Sequence, residues 1–271
     1  MTKERGGLLT ENERVLIPLL CFNYGRFLPS CLDSIRNQTY KNWNLIVRDP
    51  RSSDNTEEIM KKYVNVDPRI NYVREKDILS VPEARNKTIQ ENPNDALVAY
   101  HDVDDIMAPR RLELSVKKLR SGDVVYGNAK TFGVRCHALN SWPYVNPDLL
   151  MLCDEIIDIT ACFRRRVWKT LNGFDESMRV ASDYDFWLRA AKAGFKFKYA
   201  PFTLSYYRLH QKSLTSIFPQ KQQLNAIRAR RKHKKIGKSA KPFVVLCALM
   251  QAWTNKEIFN YQLYLWRSKQ I

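Results

Sequence analysis

Glycine is scarce, with 9 residues in 271, and only Gly25 follows the first apolar run. The glycine-rich phosphate loop that nucleotidyltransferases place near their first strand is therefore missing. Six cysteines, Cys21, Cys31, Cys136, Cys153, Cys162 and Cys247, show no CxxC and no paired spacing. That argues against zinc ribbons and a disulfide framework and for free buried thiols in a reducing compartment. No apolar run reaches the roughly 20 residues needed to cross a bilayer; the longest covers 243–250. Residues 1–10 are polar, so no secretory signal is expected, and the location read from the sequence is cytoplasmic. No internal repeat or low-complexity segment is present.

Acid is nearly absent from one end of the chain. The first 185 residues carry 27 Lys+Arg and 27 Asp+Glu, whereas beyond them Glu257 is the only acid. All of the formal +17 net charge thus lies in the last third, the pattern of a neutral body with a separate basic docking end.

Within the body, residues 15–20 form a short apolar run without helical period, and Leu28, Cys31, Leu32 and Ile35 then recur at helical spacing. Strands are predicted at 43–47, 70–73 and 96–100, and helices at 57–63 and 83–90. This alternation predicts an α/β fold with a mostly parallel central sheet flanked by helices, and ligands bind such sheets beyond the carboxyl ends of their strands. Residues 121–163 read as a less regular half with short strands at 124–126 and 159–163. Helices at 164–170 and 183–193 and one or two strands at 195–207 follow.

The sharpest local signal is His101-Asp102-Val103-Asp104-Asp105, directly after an apolar strand. Three carboxylates in four residues repel one another unless a cation or donor groups compensate. Mg2+ or Mn2+ accepts carboxylate oxygens and leaves positions open for diphosphate oxygens; the competing reading is a solvated acidic turn. Arg164, Arg165 and Arg166 are candidates to neutralise phosphate, with at least one of them merely solvated.

Further segments accompany that cluster in a fixed order: Val15 to Pro18 with Asn23-Tyr24, Leu45-Ile46-Val47-Arg48-Asp49, Ser52-Ser53-Asp54-Asn55-Thr56, Ala84-Arg85-Asn86, Gly173-Phe174-Asp175, Ser182-Asp183-Tyr184-Asp185-Phe186-Trp187, and Tyr207-Arg208-Leu209-His210. Together they resemble a family 2 glycosyltransferase over about residues 14–216. The resemblance implies a GT-A fold and inverting transfer of a sugar from a nucleotide diphosphate donor to an acceptor hydroxyl, with Mn2+ or Mg2+ as cofactor. It implies that Pro18, Asn23, Asp49, Arg85, Asp102 and Asp104 contact the donor. Asp49 would meet the base, Asp102 the ribose side, and Arg85 the base or phosphate. Asp104 and His210 would ligate the metal and Asp183 would be the general base. Asp183 could instead cap a helix, and His210 could be a surface residue. Pro50 and Arg51 stand where the family has a second Asp and a Gly, which leaves the donor base open among uridine, thymidine and guanosine.

The expected organisation is a catalytic domain over 1–218, with a nucleotide-sugar half (14–120) and a smaller mixed acceptor half (121–218), followed by a basic, aromatic-rich helical extension over 219–271. Nine Lys/Arg and no acid fall in 221–241, ahead of an aromatic stretch. Such a segment can dock on an anionic membrane surface, beside a lipid-linked saccharide acceptor. It could equally pack on the catalytic domain or form a homo-oligomer through the C-terminal helices. Other function classes are a nucleotidyltransferase on a similar sheet and a nucleic-acid-binding protein using the basic end; the neutral, acid-bearing body argues against nucleic acid.

Overall fold

The computed structural model describes residues 12–210 except 135, 146 and 153–155, together with 229, 232 and 233. The chain alternates strand and helix through its first half: β1 (Val15–Leu20), α1 (Leu28–Arg36), β2 (Trp43–Asp49), α2 (Thr56–Val66), β3 (Ile70–Arg74), α3 (Val81–Glu91) and β4 (Leu97–Ala99). A second, mixed half follows: β5 (Ile106–Met107), α4 (Arg111–Leu119), β6 (Val124–Gly133), β7 (Ala138–Leu139), α5 (Pro147–Leu152), β8 (Cys162–Arg164), α6 (Arg165–Thr170), α7 (Ser182–Lys192) and β9 (Phe197–Leu209).

These strands form one curled sheet in the order β3-β2-β1-β4-β8-β6-β9-β5, with β7 on the outer side of β6. β3, β2, β1 and β4 run parallel. β8 is antiparallel to both β4 and β6, β9 is parallel to β6, and β5 is antiparallel to β9. The sheet is therefore mixed: parallel pairing is continuous through the first half, and the second half adds one parallel pair, β6 with β9, among antiparallel ones.

Alternation along β1 explains the two cores. Val15, Ile17 and Leu19 point to one face, where Leu28, Leu32 and Ile35 of α1 meet them. Leu16 points to the other, where Phe163, Phe174, Phe186 and Trp187 pack around α6 and α7. Trp43 and Trp187 are buried in the core, and Trp168 packs against it partly buried. Pro18 sits inside β1. Val15 and Cys21 donate their N–H groups toward β2, so Pro18 turns its missing donor toward β4, where pairing with β1 ends at Leu16.

The arginine triplet is structural. Arg164 donates to the carbonyls of Leu119 (2.7 Å) and Gly122 (2.9 Å) at the end of α4. Arg165 donates to Ile89 and Asn92 carbonyls at the end of α3, and Arg166 pairs with Asp123. Two of the three guanidiniums thus satisfy carbonyls that helix ends leave open, and none is left for phosphate. Cys21, Cys31 and Cys162 are free and buried, whereas Cys136 is exposed; Cys153 and Cys247 lie outside the described residues.

Candidate active site

The loops after β1 and β2 are stapled together at the carboxyl end of the sheet. Asn23, at a φ of 56°, accepts from the Ser53 backbone (2.8 Å), and its own N–H donates to Ser52 Oγ (2.9 Å). Gly25 donates to Asp54 (2.9 Å). A Cβ at Gly25 would lie 2.4 Å from Asn55 Oδ1, so this close approach needs glycine.

The acidic cluster leaves β4 and reaches three different environments. Asp102 Oδ1 accepts from Arg85 Nη2 at 2.7 Å. Enclosure in the cleft, with Arg85 pulling down and Asp104 and Asp183 pushing up, raises the Asp102 carboxyl to about 6. Asp105 is fully buried; its Oδ1 accepts from the Arg208 backbone (2.8 Å), while its Oδ2 has no partner. Burial, then Asp104 and Asp102, raises its carboxyl well above the usual range. Asp104 Oδ2 lies 2.9 Å from His210 Nε2, a contact across 106 residues of sequence. The His210 ring packs against Phe27 at 4.7 Å and Tyr24 at 5.9 Å. Arg208 donates to the Asp104 carbonyl (2.7 Å) and to Ser30 Oγ (3.0 Å), pinning β9 to the acidic loop.

Asp183, whose charge also reaches Asp102, lies in the first turn of α7. Its Oδ2 accepts from the Tyr100 hydroxyl at 3.0 Å and its Oδ1 from the Tyr184 backbone at 2.8 Å. The residue capping α7 is Ala181, not Asp183, and Ala181 holds a φ of 60°. The Tyr100 ring in turn carries the Arg85 guanidinium 3.6 Å from its centroid. Asp183, Tyr100, Arg85 and Asp102 thus form one connected row, with Asp104 and His210 beyond it.

Two sequence-derived candidates lie elsewhere. Asp49 is fully buried; its Oδ1 accepts from Ser52 N (2.6 Å) and its Oδ2 from the Tyr72 hydroxyl (2.6 Å) and Arg74. Pro18 is buried within β1, short of the strand's cleft end.

The glycosyl transferase family 2 model matches residues 16–149. The chain belongs to this family. It is similar to the putative glycosyltransferase EpsE of Bacillus subtilis, 29% identical over 201 residues that cover 69% of this chain and 70% of the relative. It is also similar to chondroitin synthase of Escherichia coli, 26% identical over 196 residues, 66% of this chain and 27% of that much longer enzyme. Among solved structures, S. aureus TarS 1-349 in complex with UDP-GlcNAc superposes with a TM-score of 0.68 at 16% identity, covering 89% of this chain and 73% of that one. Mannosyltransferase PcManGT from Pyrobaculum calidifontis, in complex with GDP-Man and Mn2+, gives 0.65 at 18% identity, covering 93% and 73%. These likenesses establish the GT-A fold for the present glycosyltransferase.

Several residues that build this glycosyltransferase's cleft escaped sequence reasoning. Tyr100 closes an otherwise aliphatic strand immediately before the acids, and that position was its only signal. Arg111 is fully buried beneath the acidic loop, 3.1 Å from His101 Nδ1 and Ala161 O and 3.2 Å from Ser205 Oγ. Burial, with the Arg111 charge second, holds His101 well below the usual histidine range. From the far C-terminal part, Lys232 pairs with Asp175, and His233 Nε2 meets Asp185 Oδ1 at 2.9 Å. The rest of the predicted 219–271 extension, apart from Ala229, lies outside the described residues. Among the described residues no helix is long and apolar enough to cross a membrane.

Proposed function

We propose that this glycosyltransferase moves a sugar from a nucleotide diphosphate donor to a saccharide hydroxyl by a single inverting displacement, with Asp183 as general base. The observation that carries the reading is that Asp102, paired with Arg85, lies within reach of the charges of both Asp104 and Asp183, so that the acidic loop meeting His210 and the first turn of α7 share one neighbourhood. Breaking a glycosyl-diphosphate bond gathers negative charge on the leaving group, and removing the acceptor proton requires a carboxylate on the other face of the sugar.

The donor set fits a hard divalent cation. Asp104 Oδ2 and His210 Nε2 converge within 2.9 Å, and no group of three His, Cys, Asp or Glu forms among the described residues. The protein would therefore supply two ligands and leave the remaining positions to diphosphate oxygens and water. Bound there, Mn2+ or Mg2+ supplies charge neutralisation for the departing diphosphate. Arg85, whose Nη1 is buried without a partner, is placed to donate to the donor, and Asp102 holds that guanidinium in line. Tyr100 fixes the Asp183 carboxylate so that its free lone pairs face the acceptor hydroxyl.

The chondroitin and hyaluronan synthases among the relatives favour a saccharide or lipid-linked acceptor, and the basic 221–241 stretch suits an anionic membrane surface where such acceptors collect. Nucleotide-bound neighbours carry UDP- and GDP-sugars, so both belong in the donor screen. With Mn2+ present, the cognate nucleotide sugar should raise the melting temperature by mass action. Asp104→Asn should abolish that Mn2+-dependent rise while its own unliganded melting stays within a few degrees of wild type. Full turnover of Asp104→Asn in EDTA would sink the metal assignment.

A further inference from the structure

Asp185 lies in the first turn of α7 with no solvent exposure. A carboxylate buried so completely is costly unless both of its oxygens find charged or strong donors. Arg189 Nε supplies one at 2.7 Å, a helical partner four residues on. The other comes from outside the helix, where His233 Nε2 meets Asp185 Oδ1 at 2.9 Å across 48 residues of sequence, in a contact that is itself buried. Lys232 reaches the same oxygen at 3.7 Å and pairs directly with Asp175. Ala229, four residues earlier in the sequence, is buried in the aromatic cluster that contains Phe186 and Trp187.

This contact bears on the reaction through helix geometry. Asp183 and Asp185 are two residues apart, about 200° around a helix of 3.6 residues per turn, so they project from nearly opposite sides. Pinning Asp185 from behind therefore fixes the rotation of α7, and with it where the Asp183 carboxylate points in front. The Tyr100 hydroxyl holds that carboxylate on the cleft side, and Arg189 ties the helix to the Leu171 and Gly173 carbonyls (2.8 and 2.9 Å). The chain entering α7 passes through Ala181 in the left-handed region, a conformation that an alanine keeps only where its surroundings enforce it.

We propose that His233 is a positioning residue for glycosyl transfer: by holding Asp185 it sets the rotation of α7 and hence the aim of Asp183. The proposal rests on Asp183 being the general base, and its test separates the two claims.

The full-length chain carrying His233→Leu, His233→Gln, Asp183→Asn, or His233→Leu with Asp183→Asn is assayed for transfer at a temperature where each variant is folded by circular dichroism. His233→Leu should lower kcat by about 10- to 100-fold, the cost of misplacing a reacting group by about 1 Å, with the donor KM within twofold of wild type. His233→Gln, which can still donate to Asp185, should return kcat to within a few fold. In the Asp183→Asn background, His233→Leu should have no further effect, because the group it positions is gone. If His233→Leu unfolds, His233→Asn, too short to reach Asp185, takes its place. An unchanged kcat in the single variant, or an equal fractional loss in both backgrounds, overturns the positioning role. Wild-type turnover by Asp183→Asn alone would instead refute the base, whatever His233 does.

Discussion

Replacing Tyr100 by Phe removes one oxygen from the row that joins Asp183 to Asp102. The ring is almost fully buried at 3% exposure and packs 3.6 Å from Arg85, and Phe keeps the ring volume, so the core is not hollowed. What is lost is the hydrogen bond from the hydroxyl to Asp183 Oδ2 at 3.0 Å. A hydrogen bond to a charged group contributes about 1.5 to 3 kcal/mol, which corresponds to about 10- to 150-fold in rate if all of it serves to aim the carboxylate. The fold should suffer less, because Asp183 is only partly buried and water can replace the hydroxyl there. Steady-state transfer with varied donor should therefore give a fall in kcat of that size with donor KM nearly unchanged, and a melting temperature within a few degrees of wild type. Turnover within twofold of wild type would refute the claim that Tyr100 orients the base. A parallel rise in donor KM would place the hydroxyl's effect on Arg85 instead.

Other outcomes follow from the same structure. Arg48 is buried between Glu75 and Glu91 and donates to Thr88 Oγ1 at 2.7 Å; Arg48→Ala leaves Glu75 with Lys87 as its remaining cationic partner and Thr88 without its donor, and should cost about 1 to 3 kcal/mol in urea unfolding. Changing Arg230, Arg231, Lys234 and Lys235 to Gln should release the protein from anionic vesicles in co-sedimentation at low salt while turnover on a short soluble acceptor is unchanged. Equal sedimentation of wild type and variant would leave protein packing as the role of that segment.

The first half of the fold was legible because each element carries its own signal. Leu28, Cys31, Leu32 and Ile35 mark one face of α1, and Ser80 with Glu83 forms the capping box that starts α3. The sequence reading placed nothing between Asp105 and Ser121, although Leu112, Val116 and Leu119 repeat at helical spacing and form the buried face of α4. Their charged neighbours, including a buried Arg111, hid the pattern. β5 has two residues and exists only because β9 pairs with it, so local sequence could not predict it. At the site, the acids, Arg85, Asp183 and His210 were singled out through their order along the chain, and the fold links them by short contacts: Arg85 to Asp102, Asp104 to His210, and Asp183 to Tyr100. The engagement of Asp49 was not visible, because it depends on Tyr72 and Arg74 arriving from the neighbouring strand. The Asp185–His233 contact was hidden for a related reason: charge counting read 221–241 as one basic docking stretch, whereas burial selects Ala229 and His233 out of it.

The central claim is that Asp183 removes the acceptor proton, and it meets its most direct test in the transfer rate of Asp183→Asn at saturating donor and Mn2+, with donor affinity measured on the same sample. Loss of a general base lowers rates by about 10² to 10⁴. The account predicts a fall in kcat of that order with donor affinity within twofold of wild type. Turnover close to wild type, or a loss of donor binding that tracks the loss of turnover, would contradict it.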